Sequence, residues 1–367
     1  MRTGTAGAPL HGGHAPPWLF ARMVRLSRAL VEYIVAEWGP AEVLARLSDP
    51  YWFQAFGCVL GFDWHSSGLT TTACGALKEA VKGREGELGL FIAGGKGAVS
   101  RRTPQEIAAH AVRHSLAIPG ERLIYASRMS AKVDNTAVQD GYQIYHHCFF
   151  FTREGQWAVV QQGMNTDTAW ARRYHWLAGP EHSFVCEPHA AVCAARPETS
   201  VLNLVAAEAE AARQTTAVLA TEHPEKLTRE VRRMQELTLP RHHQLLVSDL
   251  RPESLQRIFE KTYERAPATF QEVLEIQGVG PKSVRALALI AELLHGVPAS
   301  VRDPARFAFA HGGKDGTPFP VDRRTYDRSI AVLRQTVEAS RLGDKERVEA
   351  LRRLAAWASQ QGGSAAR

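Results

Sequence analysis

The segment Phe270 to Leu294, FQEVLEIQGVGPKSVRALALIAELL, has the most specific chemistry in the chain. Two apolar helical stretches flank Gly278-Val279-Gly280, and Pro281 opens the second of them. Glycines let the backbone turn tightly and come close to a phosphate, while the amides and dipole at the start of the next helix favour an anion. Lys282 adds a mobile cation there, with Ser283 and Arg285 just beyond it. The spacing predicts a helix-hairpin-helix over residues 270–294. In it Gly278, Val279, Gly280, Lys282, Ser283 and Arg285 would hold a DNA backbone without reading bases, because phosphate contacts carry no sequence information. A tight helix corner that contains two glycines is the structural alternative.

A second constellation lies earlier in the chain, where ionisable groups interrupt apolar sequence: Asp63, His65 and Ser66, then Lys132, Asp134, Asp140, His146 and His147, then Gln161, Gln162, Asn165 and His175. A metal-dependent nuclease needs carboxylates, a histidine and a lysine to hold Mg²⁺ or Mn²⁺ and activate water, and Asp63, His65, Asp134 and Asp140 are its candidate ligands. A hydrogen-bonded core or a DNA-facing polar surface would use the same residue types. His182, Cys186, His189 and Cys193 have a spacing that could chelate zinc, although it matches no common ligand pattern. Gly94-Gly95-Lys96-Gly97 reads as a loop able to cradle a phosphate, without the continuation of a P-loop. Arg172-Arg173-Tyr174-His175-Trp176 mixes cations and aromatics, as an exposed stacking platform or a half-buried helix end would. His11-Gly12-Gly13-His14 and His311-Gly312-Gly313-Lys314 read as loops, DNA-facing or plain turns.

The elements that must position these groups follow from periodicity and punctuation. Leu19, Met23, Leu26, Leu30 and Ile34 mark a helix over 18–38. Leu88 to Ala93 reads as a short strand, and Thr103-Pro104-Gln105-Glu106 as a capping box opening a helix to about Ser115. Tyr142 to Gln162 predicts a β-hairpin about Thr152-Arg153-Glu154-Gly155. From Leu202 to Trp357 the composition is helical, with helices expected over 255–265 and 323–337, and Ala195 to Ser200 resembles a linker. The expected class is α+β. An amino-terminal domain, 1–197, would hold a small, mainly antiparallel sheet and helices, and an all-helical domain, 198–367, would contain the hairpin.

The 367 residues, 45% hydrophobic and 22% charged, exclude a disordered or collagen-like chain. A net charge of +6 favours an anionic partner. Five cysteines are too few for a disulfide framework, and no apolar run is long enough to span a membrane, so a cytoplasmic protein with free thiols is expected.

Two resemblances follow. The carboxyl-terminal part, with GVGPKS and then PVDRRTYD, resembles the helix-hairpin-helix DNA glycosylase superfamily. That resemblance implies Lys282 as the amine that attacks the sugar and Asp322 as its electrostatic partner, in a base-excision glycosylase with lyase activity that needs no cofactor. The stretch between them is longer than in common members, and no iron–sulfur cysteine cluster follows. Such an enzyme flips its target nucleotide out of the duplex. A metal-dependent nuclease and a non-catalytic DNA-structure-binding protein are the alternatives. Through FDWHSSGLTTTACGALKEA, VQDGYQIYHH, VVQQGMNTDTAWARRYHW and FAHGGKDGTPFPVD, nearly the whole chain is also similar to a widespread prokaryotic family known mainly as a domain of unknown function.

Overall fold

Proline sets the first three helices. Pro17, Pro40 and Pro50 each begin one, where a missing N–H breaks no helical bond: α1 (Pro17–Trp38), α2 (Pro40–Ser48) and α3 (Pro50–Leu60). Asp49 caps α3 by accepting from the amides of Tyr51 at 2.8 Å and Trp52 at 3.2 Å. Every residue of α3 is buried. The computed structural model describes residues 15–62, 68–168, 170–179, 182–194, 197–199, 201–236, 249–306, 323–340 and 342–364.

Next come α4 (Gly68–Val81), α5 (Glu85–Leu88), β1 (Leu90–Lys96), α6 (Thr103–His114) and α7 (Gly120–Thr136). The strands β2 (Val138–Gln139), β3 (Gln143–Thr152), β4 (Trp157–Met164), β5 (Ala171–Leu177), β6 (His189–Ala194) and β7 (Leu202–Asn203) follow. Five of them form an antiparallel sheet in the order β1-β3-β4-β5-β6, and β2 pairs with β7 separately. The expected hairpin is β3–β4, and its turn uses Gly155 at φ +89°. The remaining helices are α8 (Glu210–Ala220), α9 (Pro224–Glu236), α10 (Pro252–Arg265), α11 (Phe270–Glu275), α12 (Pro281–His295), α13 (Arg323–Ala339) and α14 (Asp344–Ser364). No helix among the described residues is long and apolar enough to cross a membrane.

The aromatic run of β3 is continuous because the sheet is buried on both faces. Phe149 and Phe151 join one core with Phe91, Tyr174 and Trp176, which continues into α7 to α9 and α10 to α12. Phe150 joins a second core with Leu90, Ile92 and Val160, covered by α1 to α4, α13 and α14. The mixed α+β class therefore holds. Leu333 and Val337 of α13 and Leu354 and Trp357 of α14 lie in the second core, and α3 is a main packing partner of both helices. A division at residue 197 thus groups α13 and α14 with helices whose core they do not share.

Two local expectations are corrected. Gly94, Gly95 and Lys96 continue β1, pairing with Cys148, His147 and His146, and do not form a loop. Gly94 has φ +90°, and a Cβ there would lie 2.3 Å from the carbonyl oxygen of His147. The capping box of α6 does not form, because the Glu106 carboxylate is used elsewhere. It accepts from the Gly94 amide at 2.8 Å and from Lys78 Nζ at 2.6 Å. All five cysteines are free thiols.

Candidate functional site

Thr269 caps the short α11 by accepting from the Glu272 amide at 3.2 Å, and the chain then turns through Gly278 at φ +100°. This conformation suits glycine, and a Cβ would meet Ile258 Cδ1 at 3.0 Å. Val279 is buried beneath the turn, and Ser283 Oγ accepts from the Gly280 amide at 2.9 Å. Three groups moor the turn to the sheet side of the molecule. Lys132 of α7 donates to the Val279 carbonyl, Gln139 of β2 donates to the Pro281 carbonyl at 2.9 Å, and Arg285 Nε donates to Gln139 Oε1 at 2.8 Å. Burial pushes the Lys132 ammonium below the ordinary lysine range.

Lys282 stands on the first turn of α12 with its side chain 54% exposed. Its Nζ donates to the Asp249 carbonyl at 3.1 Å and lies 3.3 Å from the Asp249 carboxylate, which also takes Arg285 at 2.8 Å. The six candidate backbone-holding residues are thus brought together on one turn. Asp322, Asp63, His65 and Ser66 lie outside the described residues, as do the His11–His14 and His311–Lys314 loops.

Asp134 and Asp140 are buried on the α7 side of the sheet in separate networks. Asp134 accepts from Gln161 Nε2 at 2.6 Å, Trp176 Nε1 at 2.9 Å and His189 Nε2 at 2.6 Å. Gln161 Oε1 in turn meets His147 Nδ1 at 2.9 Å, and His147 Nε2 meets Ser127 Oγ at 2.9 Å. Asp140 accepts from Arg172 at 2.9 Å and Tyr174 Oη at 2.7 Å, and burial pushes its carboxyl up. Arg172 also holds Asp303 with two bonds of 2.8 and 2.7 Å. Among the described residues no three His, Cys, Asp or Glu side chains are placed to hold one metal ion.

The stretch Arg172 to Trp176 is strand β5, buried throughout, and so is neither an exposed platform nor a helix end. Its alternation sends Arg172, Tyr174 and Trp176 to the α7 side. Arg173 and His175 point to the other side, where Arg173 donates to His175 Nε2 at 2.8 Å and Gln54 Oε1 at 3.1 Å. A bulge in the β5–β6 ladder sets His189 opposite Trp176 and Cys193 opposite Arg173. His189 and Cys193 therefore face opposite sides of the sheet and cannot share a zinc ion.

At the open end of β1 and β3 lies a cleft of about 1110 Å³ lined by Phe20, Thr72, Lys96, Arg101, Tyr145 and Met164 among others. Tyr145 Oη accepts from Gln162 at 2.5 Å. His146, fully buried, has no hydrogen-bond partner on either nitrogen, and burial, with His147 and Lys96 nearby, pushes it down to about 3. The cleft and the α11–α12 turn share one support. Asn135 of α7 accepts from the amide of Ile144, which lines the cleft, and Lys132, one turn earlier, holds Val279. Sequence reasoning missed Arg101, Tyr145, Asp249 and Asp303. Of these, Tyr145 stood within the predicted hairpin and Asp303 within the long stretch between Lys282 and Asp322, neither of them as a site residue.

A five-stranded antiparallel sheet covered on both faces, with a moored helical turn and a basic cleft beside it, defines an α+β protein with a candidate site at one end of the sheet. Residues 4–321 match the family described as a protein of unknown function (DUF763), and the chain belongs to that family. No curated protein and no solved structure matches it.

Proposed function

We propose that the protein binds DNA through the α11–α12 turn and acts as a base-excision glycosylase with lyase activity, Lys282 being the nucleophile. The observation that carries this reading is the turn itself. A positive-φ glycine, a buried valine and a proline-opened helix of 15 residues present Lys282 and Arg285 side by side. The helix start and these cations suit backbone phosphates.

The attacking amine must first give up its proton to solvent, and the Asp249 carboxylate at 3.3 Å orients it. Nζ then bonds to C1′ as the base leaves with the electron pair of the glycosidic bond. One of the two nitrogen protons goes to the departing base, the C1′–O4′ bond opens with O4′ protonated by water, and the iminium so formed keeps its N–H. Loss of a C2′ proton then expels the 3′ phosphate by β-elimination, and water hydrolyses the iminium to release the amine. Asp322 would stabilise the cationic sugar, and no metal takes part in these steps.

Borohydride trapping on a duplex with an abasic site, in EDTA, tests the reading. The expected result is a covalent adduct that Lys282→Gln loses while still binding DNA. Cleavage only with Mg²⁺ or Mn²⁺ and no adduct would transfer the chemistry to a nuclease centre, and binding without turnover would leave a DNA-structure-binding protein.

A further inference from the structure

On the α7 side of the sheet, a pocket of about 160 Å³ opens between β6 and the segment that follows α12. Glu187, His189, Asn203, Arg302 and Arg306 are its polar lining. Its wall is fixed by backbone bonds: the Asn203 amide to the Ser300 carbonyl at 2.8 Å and the Arg306 amide to the Val192 carbonyl at 3.2 Å. Asn203 Nδ2 also donates to the Arg302 carbonyl at 2.9 Å.

His189 Nε2 is taken by the fully buried Asp134, so Nδ1 is the nitrogen left for whatever occupies the pocket. A buried carboxylate behind an imidazole fixes the ring and its orientation, so that Nδ1 is aimed away from Asp134. Among the described residues, the Arg302 and Arg306 side chains meet exposed carboxylates, Glu187 at 3.8 and 3.3 Å and, for Arg302, Glu208 at 3.0 Å. Such solvated pairs are weak, and a doubly charged phosphomonoester displaces them more readily than it would a buried pair.

The pocket also lies close to the α11–α12 turn. Asn203 sits on β7 opposite Val138 of β2, and the next β2 residue, Gln139, is the one bonded to Arg285 and Pro281. Resting on the reading that this turn holds DNA, we propose that the His189–Arg302–Arg306 pocket binds the terminal phosphate of a DNA strand.

Fluorescence anisotropy would compare duplexes carrying a 5′ phosphate, a 3′ phosphate or hydroxyl ends only. One phosphorylated end is expected to bind about tenfold more tightly than the hydroxyl end. Arg302→Gln with Arg306→Gln should abolish that preference and leave hydroxyl-ended binding unchanged, whereas Lys282→Gln should weaken all duplexes alike. Equal affinity of the wild type for every end overturns the proposal. If no duplex binds at all, the DNA reading fails on its own, and inorganic phosphate decides the pocket. A shift of the His189 imidazole resonances in the wild type and not in the double variant supports a phosphate site, and no shift overturns it.

Discussion

Three donors converge on the fully buried Asp134 carboxylate. Truncating it strands Gln161, Trp176 and His189, and buried groups without partners are costly. Asp134→Ala should lose about 3 kcal/mol in urea unfolding, and Asp134→Asn less, since the amide oxygen can still accept. A loss under 1 kcal/mol for Asp134→Ala would show that water replaces the carboxylate. His146 makes a second prediction, about pH. Its buried ring stays neutral down to about 3, against an ordinary value of 6.5. Below 6.5 the unfolded chain takes up a proton that the folded ring refuses, so stability falls as pH falls through this window, by about 1.4 kcal/mol per unit. His146→Gln should flatten the slope between pH 6 and 4 by that amount, and an unchanged slope would assign the pH dependence to other groups. At this scale the sequence was legible where spacing is local. Gly278 to Arg285 converge because they share one turn, whereas Asp134 meets His189, 55 positions further along the chain.

Elements were easier to read where one face is apolar or one residue forces the geometry. The periodicity of α1, the β3–β4 hairpin and the start of α12 each carry such a signal. Strand β5 carries none: two arginines, a tyrosine and a histidine look exposed until Asp140, Asp303 and Gln54 arrive from distant segments to satisfy them. β1 was cut short for a similar reason, since glycines that usually mark a loop here let β3 approach. Gly94→Ala tests this. Its φ of +90° and a Cβ contact of 2.3 Å with backbone leave no room, and Lys78 and Glu106 clasp the same residue. The substitution should cost about 3 kcal/mol and speed hydrogen exchange at the β1–β3 ladder first. Uniform exchange would mean that the strain spreads beyond this strand pair.

The whole molecule is tied together by more than chain order. The first core needs both the sheet and α8 to α12, and the second needs α13 and α14 to cover α3. A chain ending at residue 306 should therefore expose the apolar face of α3 and bind a hydrophobic dye, and a dye-silent, cooperatively melting fragment would show that this cover is dispensable. The charge of +6 makes a further whole-molecule prediction for the proposed DNA complex. Affinity should fall steeply with salt, and Lys282→Gln should reduce the slope of log affinity against log salt by about 0.9, one phosphate's worth. An unchanged slope would place the DNA elsewhere on the surface.

The ion pair between Arg172 and Asp303 also has a meaning in time. The two residues are 131 positions apart, and the guanidinium lies wholly inside the sheet. A ribosome that has finished β5 has made the cation but not its two-bonded acceptor. The other carboxylate, Asp140, is already made and takes the same guanidinium at 2.9 Å, but through one bond only. A buried guanidinium held by one of its two carboxylates is short of acceptors, so the sheet of a nascent chain reaches its final packing only once α12 and the segment after it have emerged. Synthesis order thus makes the turn that bears Lys282 a prerequisite for the sheet that precedes it.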